Sequence, residues 1–286
     1  MSAPSNDPIT ITHTRRSRRV CACIPICQPD ADRWLYQLLA NLDQLHHVLS
    51  VAWYGDNINQ DTFDRLADFP GTAGVARYQG PEQFDERRRN YPYQIAVNAG
   101  AEWMLRMDSD ETLVPTEWPM VEYHTAQPPC SYKFRWYNVW QDALPHPLIR
   151  LDPPFRPQDN YRVVLHPLKG YGWDWKRPAV ASAYCDREIK EVQTDLRLLH
   201  WGFSTPELRR FHKDRWDKLY AIGGRPNPYG MWSAACIEGM AWLHPWRPDL
   251  SHEEWVASVD AALRTCGRMA DFREPWLREK PHAPPG

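Results

Sequence analysis

At 286 residues the chain is long enough for one large domain with a full core, or a domain with an appendage. A net charge of −2 gives no overall basic field for nucleic acid, and seven cysteines, an odd number, fit a reducing compartment better than a disulfide framework. Fifteen tryptophans exceed what a core needs and assign some aromatic side chains to a binding surface.

No apolar run approaches the roughly 18 residues of a membrane span. The first residues lack the apolar segment of a signal peptide, because Thr14 to Arg19 leads directly into a strand, so the sequence predicts a soluble, cytoplasmic protein. Residues 1–18 read as a mobile basic arm. Val20 to Ile26 is a compact apolar strand, followed by a helix with Asp30 as N-cap and Trp34, Leu35, Leu38, Leu39 and Leu42 on one face. Cys21, Cys23 and Cys27 read as buried free thiols, since no second ligand pair with zinc spacing accompanies them. His47 to Tyr54 is the next strand and Gly55-Asp56-Asn57 breaks it. A short helix over Asp61 to Leu66 and a strand over Gly74 to Tyr78 follow. Arg87, Arg88 and Arg89 precede a helix that Pro92 opens and Gly100 ends.

The fourth strand is Ala101 to Met107, with Trp103, Leu105 and Met107 on one side of a two-residue period and Met104 on the other. It ends in Asp108-Ser109-Asp110-Glu111. Strand–helix alternation at this spacing predicts a parallel, doubly wound sheet, and right-handed crossovers bring Asp56 and Asp108 to one rim. Ligands bind at that rim in open α/β sheets. Two aspartates one residue apart offer hard oxygen ligands to Mg²⁺ or Mn²⁺, which in turn hold a diphosphate; the alternative is an acidic turn. An EF-hand is ruled out by Leu113, which stands where that loop requires glycine.

The second half is richer in aromatics. Tyr132 to Trp140 alternates aromatic and polar residues, Pro145 to Pro157 is a proline-rich connection, and Tyr161 to Leu165 is a strand. Gly170 to Trp175 is a glycine–aromatic loop in which Trp173 and Trp175 flank Asp174. Leu196 to Trp201 is apolar and ends in His200-Trp201-Gly202. Thr205-Pro206-Glu207 opens a helix to about Tyr220, and Ser251 with Glu254 forms the capping box of a last one running to Met269. Pro281 to Gly286 reads as a disordered tail.

In this order the chain resembles the GT-A glycosyltransferases, especially their family-2-like branch. The resemblance rests on the first strand and helix, the Asp56 strand end, Arg89-Asn90 followed ten residues later by the Ala101–Glu111 run, and the segment from Leu198 to Trp216. It covers roughly residues 19–220, leaving 221–286 as a helical C-terminal extension and tail. It implies a GT-A-like, mostly parallel sheet flanked by helices. It also implies an enzyme that moves a sugar from a nucleoside diphosphate sugar, UDP- or GDP-linked, to a hydroxyl, with inversion and with Mn²⁺ or Mg²⁺. On that pattern Asp108 and Asp110 face the metal and diphosphate, and His200 is a third ligand; the other reading of His200 is a hydrogen-bonded histidine at a strand end. Asp56 contacts the base or ribose. Arg89, and Lys213 or a neighbouring arginine, meet the phosphates. The branch's common Glu-Asp pair is absent after residue 130, and Asp174 is the substitute for the catalytic base, with Asp142 and Asp152 as rivals. A sugar nucleotidyltransferase is the alternative enzyme, although Pro25-Ile26-Cys27-Gln28-Pro29 has neither the glycine nor the basic residue of its phosphate loop. A carbohydrate-binding module has no need of clustered acids, and a nucleic-acid acceptor has only the basic arm in its favour.

Overall fold

The computed structural model describes residues 9–13, 15–80, 90–142, 146–151, 157, 160–171, 189–222 and 243–265. Its centre is a block of four parallel strands: β2 (Val20–Cys27), β3 (Leu49–Asp56), β4 (Thr72–Tyr78) and β5 (Trp103–Arg106), in the order β4-β3-β2-β5. Helices α1 (Gln28–Asp43), α2 (Gln60–Asp68) and α3 (Tyr91–Asn98) make the crossovers. The molecule is α/β, with the parallel strands flanked by helices as the alternation predicts.

Residue parity explains the layers. Ala22, Ile24, Val51, Trp53, Leu105 and Met107 face one side of the sheet with Leu35, Leu38 and Leu42 of α1. Cys21, Cys23, Ala52, Tyr54 and Met104 face the other with Tyr93, Ile95 and Ala96 of α3. Both thiols are free and fully buried, and burial pushes the Cys23 thiol well above its usual range, so it stays protonated and inert.

The sheet continues past β5 through β9 (Tyr161–Pro167, antiparallel), β7 (Ser131–Gln141), β10 (Glu191–His200, parallel to β7) and β6 (Glu111–Leu113, antiparallel to β10). Strands β8 (Leu148–Arg150) and β11 (Leu243–Pro245) branch from the end of β7. Helix α4 (Trp118–Ala126) links β6 to β7, and α5 (Pro206–Ile222) follows β10. Because β5 and β7 are both antiparallel to β9, the carboxyl ends of β2 through β5, β7 and β10 all lie on one rim.

Two local readings change. Part of the basic arm is a strand, β1 (Ile9–His13), antiparallel to β4 from Ile9↔Tyr78 to His13↔Gly74. Its signal is the alternation Ile9-Thr10-Ile11-Thr12, all β-branched. Helix α1 starts before Asp30: Cys27 is its N-cap without a side-chain cap bond, and Asp30 lies buried in the first turn.

Other local signals hold as read. Gly100, at φ +84°, closes α3 with Gly100 N–H on Val97 O (3.0 Å) and Ala101 N–H on Ala96 O (2.9 Å), a Schellman pair. The capping box opens α6 (His252–Thr265) in both senses: Glu254 Oε2 accepts from Ser251 N–H (2.8 Å) and Ser251 Oγ from Glu254 N–H (3.2 Å). Helix α6 packs Trp255 against Tyr137 and Trp246 in a third apolar cluster. No described helix is long and apolar enough to cross a membrane.

Candidate active site

The strand order reverses between β2 and β5, since β3 and β4 lie on one side of β2 and the later strands on the other. The crevice at the carboxyl ends of such a pair is where open α/β sheets take ligands. It is occupied here by Cys27 and Asp30 from the β2 side and by Asp108-Ser109-Asp110 from the β5 side. Asp30 Oδ2 accepts from Cys27 Sγ (3.0 Å) and Ser109 Oγ (3.4 Å), tying the two sides together. Asp56 ends β3 beside Cys27 and Tyr78, on the same rim.

The acidic run is held by its next residues. β6 is only three residues long, yet it is gripped on both edges. On one side it pairs with β10, with His200 opposite Glu111 and Leu198 opposite Leu113. On the other, the Asn41 side chain of α1 imitates a strand: its Nδ2 donates to Leu113 O (2.9 Å) and its Oδ1 accepts from Leu113 N–H (3.0 Å). Trp201 N–H extends the ladder to Asp110 O (2.8 Å), and its indole N–H reaches Thr112 Oγ1 (2.9 Å). That pairing carries Asp110 to His200, ninety positions later in the chain.

Asp110 Oδ2 lies 3.2 Å from His200 Nε2, both side chains nearly buried (9% and 8% exposed). His200 Nδ1–H donates to Asn138 Oδ1 (2.9 Å), and Asn138, opposite His200 in the ladder, is fully buried. Trp136 (ring centroids 4.5 Å apart) and Phe203 (4.9 Å) hold the imidazole. The consequence is electrostatic. With the proton on Nδ1, a neutral ring turns its Nε2 lone pair toward a carboxylate oxygen, and two lone pairs at 3.2 Å repel unless a cation lies between them. That cation is either a second proton on the ring or a metal. Cis ligands on an octahedral ion with bonds of about 2.1 Å lie about 3 Å apart, so the spacing fits a shared divalent ion. One carboxylate and one imidazole suit Mn²⁺ better than Mg²⁺. Among the described residues no three His, Cys, Asp or Glu side chains converge as a complete metal cage.

Asp108 is placed differently. Its Oδ2 pairs with Arg162 Nη2 (2.9 Å), its N–H donates to Glu111 Oε2 (2.7 Å), and Arg162 Nη1 also bonds Glu111 Oε1. Glu111 is fully buried, and desolvation pushes its pKa up to about 7, although Arg162 pulls the other way. The two carboxylates in turn hold the Arg162 guanidinium firmly protonated. Arg162, Asn138, Trp136 and Asp30 were not singled out from the sequence as site residues. Only Asp30 carried a local signal, and it suggested a helix cap.

Lys213 pairs with Asp217 one turn along α5 (2.9 Å). Its neighbour Arg209 points back to the rim: Nη1 donates to Trp140 O (2.7 Å) and Phe203 O (2.6 Å), with the guanidinium 4.6 Å from the Trp140 ring and Arg150 4.1 Å from the same ring. Asp142 is exposed just beyond β7. Arg89, Asp152 and Asp174 lie outside the described residues.

No protein-family model and no curated protein sequence matches the chain. Solved structures do. TarS of S. aureus is similar at 13% identity and a TM-score of 0.42 over 68% of this chain, which spans 38% of the length of TarS. A TarS fragment solved with UDP-GlcNAc is similar at 14% identity and a TM-score of 0.36, over 44% of this chain and 37% of that one. A protein of Desulfovibrio desulfuricans G20 assigned as a nucleotide-diphospho-sugar transferase gives 11% identity and a TM-score of 0.37, over 77% and 96%. Identities and scores this low leave the chemistry to the chain's own residues.

Proposed function

We propose that the chain is a glycosyltransferase that moves a sugar from a nucleoside diphosphate sugar, UDP- or GDP-linked, to a hydroxyl acceptor with inversion. The observation that supports it most is the Asp110–His200 pair at the strand-order reversal. Two facing ligand atoms, with no complete cage among the described residues, suit an ion whose remaining positions are filled by phosphate oxygens and water. A divalent cation bound there supplies charge neutralisation for the departing diphosphate. Asp110 and His200 hold it. Arg162 keeps Asp108 and Glu111 paired, so the site presents few uncompensated negative charges to a diphosphate. Arg209 is the α5 cation we assign to the phosphates in place of Lys213. Arg89 is a second phosphate partner, and Asp56 receives the base or ribose. Asp174 takes the proton of the acceptor hydroxyl as the sugar transfers.

The nucleotidyltransferase reading gains nothing from the β2–α1 turn. Cys27 makes no side-chain cap bond, and Pro29 removes one of the N–H groups a phosphate would use.

The test is a thermal-shift panel of UDP-GlcNAc, UDP-glucose, GDP-mannose, dTDP-glucose and a CMP-sugar, each with Mn²⁺ or EDTA. A ligand at 100 times its dissociation constant adds about 2.7 kcal/mol, a shift of a few degrees. The expected result is a shift for one nucleotide that disappears with EDTA. No shift with any donor in either condition would overturn the reading.

A further inference from the structure

We infer that Asn138 is a positioning residue: its side-chain oxygen holds the proton of His200 on Nδ1 and so keeps Nε2 turned to Asp110 as a metal ligand. The inference rests on the proposed metal role of Asp110 and His200. Three features carry it. First, register fixes the approach. Asn138 and His200 are direct partners in the parallel β7–β10 ladder, so their side chains leave the same face of the sheet. Second, the ring is held from every direction except one. Trp136 and Phe203 pack beside it, Asn138 Oδ1 accepts from Nδ1–H at 2.9 Å, and the remaining edge points at Asp110 Oδ2. Third, Asn138 is fully buried, and its amide nitrogen has no hydrogen-bond partner among the described residues. An asparagine retained at 0% exposure with half its hydrogen-bonding capacity unused is costly, by the ordinary price of a buried unsatisfied donor. Among the described residues its one side-chain hydrogen bond, to the proposed ligand histidine, is the gain that offsets this cost. Metal-bound histidines usually donate their second N–H to such an acceptor, which fixes tautomer and ring orientation.

The experiment uses the full chain with Mn²⁺ and UDP. Mn²⁺ affinity is read by electron paramagnetic resonance, and coordination of an imidazole by the ¹⁴N coupling in spin-echo modulation of the bound ion. Four proteins are compared: the parent, His200→Gln, Asn138→Leu and Asn138→Asp. Asp accepts but does not donate, so it separates the acceptor role from any other. The expected result is ¹⁴N coupling in the parent, its loss in His200→Gln, and Mn²⁺ affinity about 10- to 100-fold weaker with diminished coupling in Asn138→Leu. Asn138→Asp retains both. If Asn138→Leu does not fold, Asn138→Asp decides alone: a large loss of affinity there shows that an acceptor oxygen at position 138 does not support the ligand, and the inference fails. Parent-like affinity in Asn138→Leu while His200→Gln loses the ion overturns this inference and leaves the metal site standing. A parent protein that binds no Mn²⁺, or binds it without imidazole coupling, overturns both.

Discussion

Asp110 and Glu111 are neighbours in sequence and differ in circumstance. Glu111 is fully buried, where Arg162 and the Asp108 N–H hold it; Asp110 faces His200 Nε2 at 3.2 Å. The difference predicts separate mutational behaviour. Asp110→Asn preserves the shape of the side chain and its place beside His200, so the fold is kept and its melting temperature without ligand stays close to the parent's. Its Mn²⁺-dependent shift with a nucleotide sugar disappears, and transfer with it; parent-like turnover in this variant would remove the centre of the functional proposal. Asp174 is argued from chemistry alone. If it is the base, Asp174→Asn binds donor and Mn²⁺ like the parent but loses about 10²-fold or more in transfer rate, the usual worth of a general base. A rate equal to the parent's passes the role to Asp142 or Asp152.

The short strand β6 shows what a sequence displays and what it conceals. The parallel block, the Gly100 helix end and the Ser251–Glu254 capping box were legible because each is written in residues within a turn or two of one another. Asp56 and the acidic run could be sent to one rim for the same reason, through the alternation of strands and helices. Glu111-Thr112-Leu113 has no such signature. Its identity as a strand comes from β10, some ninety residues away, and from a side chain on α1. Arg162 and Asn138 were concealed likewise, since what qualifies them is the strand beside them. The Asn41 contact is testable. Asn41→Ala leaves the Leu113 N–H and carbonyl without their partner, a loss of about 1–3 kcal/mol. It also frees one edge of β6, so on the proposed metal role of Asp110 and His200 the Mn²⁺ affinity falls although Asn41 touches neither residue. Unfolding in denaturant and a Mn²⁺ titration check the two halves. A variant destabilised with unchanged Mn²⁺ affinity would show that β10 alone holds the acidic run.

At the scale of the molecule, helix α6 joins the sheet through buried groups that resist charge. His252 Nδ1 shares a hydrogen bond with the Tyr137 hydroxyl, and burial, with Arg135 and Arg197 nearby, lowers its pKa to about 4, against a smaller opposing effect from Asp195. His166, within β9 and hydrogen-bonded with the Ser131 hydroxyl, is lowered to about 3 by burial and Arg106. Both are depressed in the folded state, so the unfolded chain binds more protons below the ordinary histidine value of about 6.5. Stability from these groups is therefore complete above about pH 6.5 and declines as pH falls toward 4 and 3. His252→Gln removes one of the two contributions, and its denaturant midpoint falls less steeply than the parent's between pH 6.5 and 4. Near-ultraviolet circular dichroism, which reports on the tryptophans around α6, follows the same transition. Equal slopes in the two proteins would mean that α6 docks without regard to the charge of His252.

The ladder between β6 and β10 also sets a timetable. Asp110 leaves the ribosome long before His200, and the proposed ion site needs both. Pairings that close so long a loop form late in folding, after local helices and the neighbouring parallel strands. On the proposed metal role of Asp110 and His200, the capacity to bind a divalent ion would arrive with the last strands of the sheet, and a nascent or partly folded chain would lack the site that the proposal assigns to a nucleotide sugar.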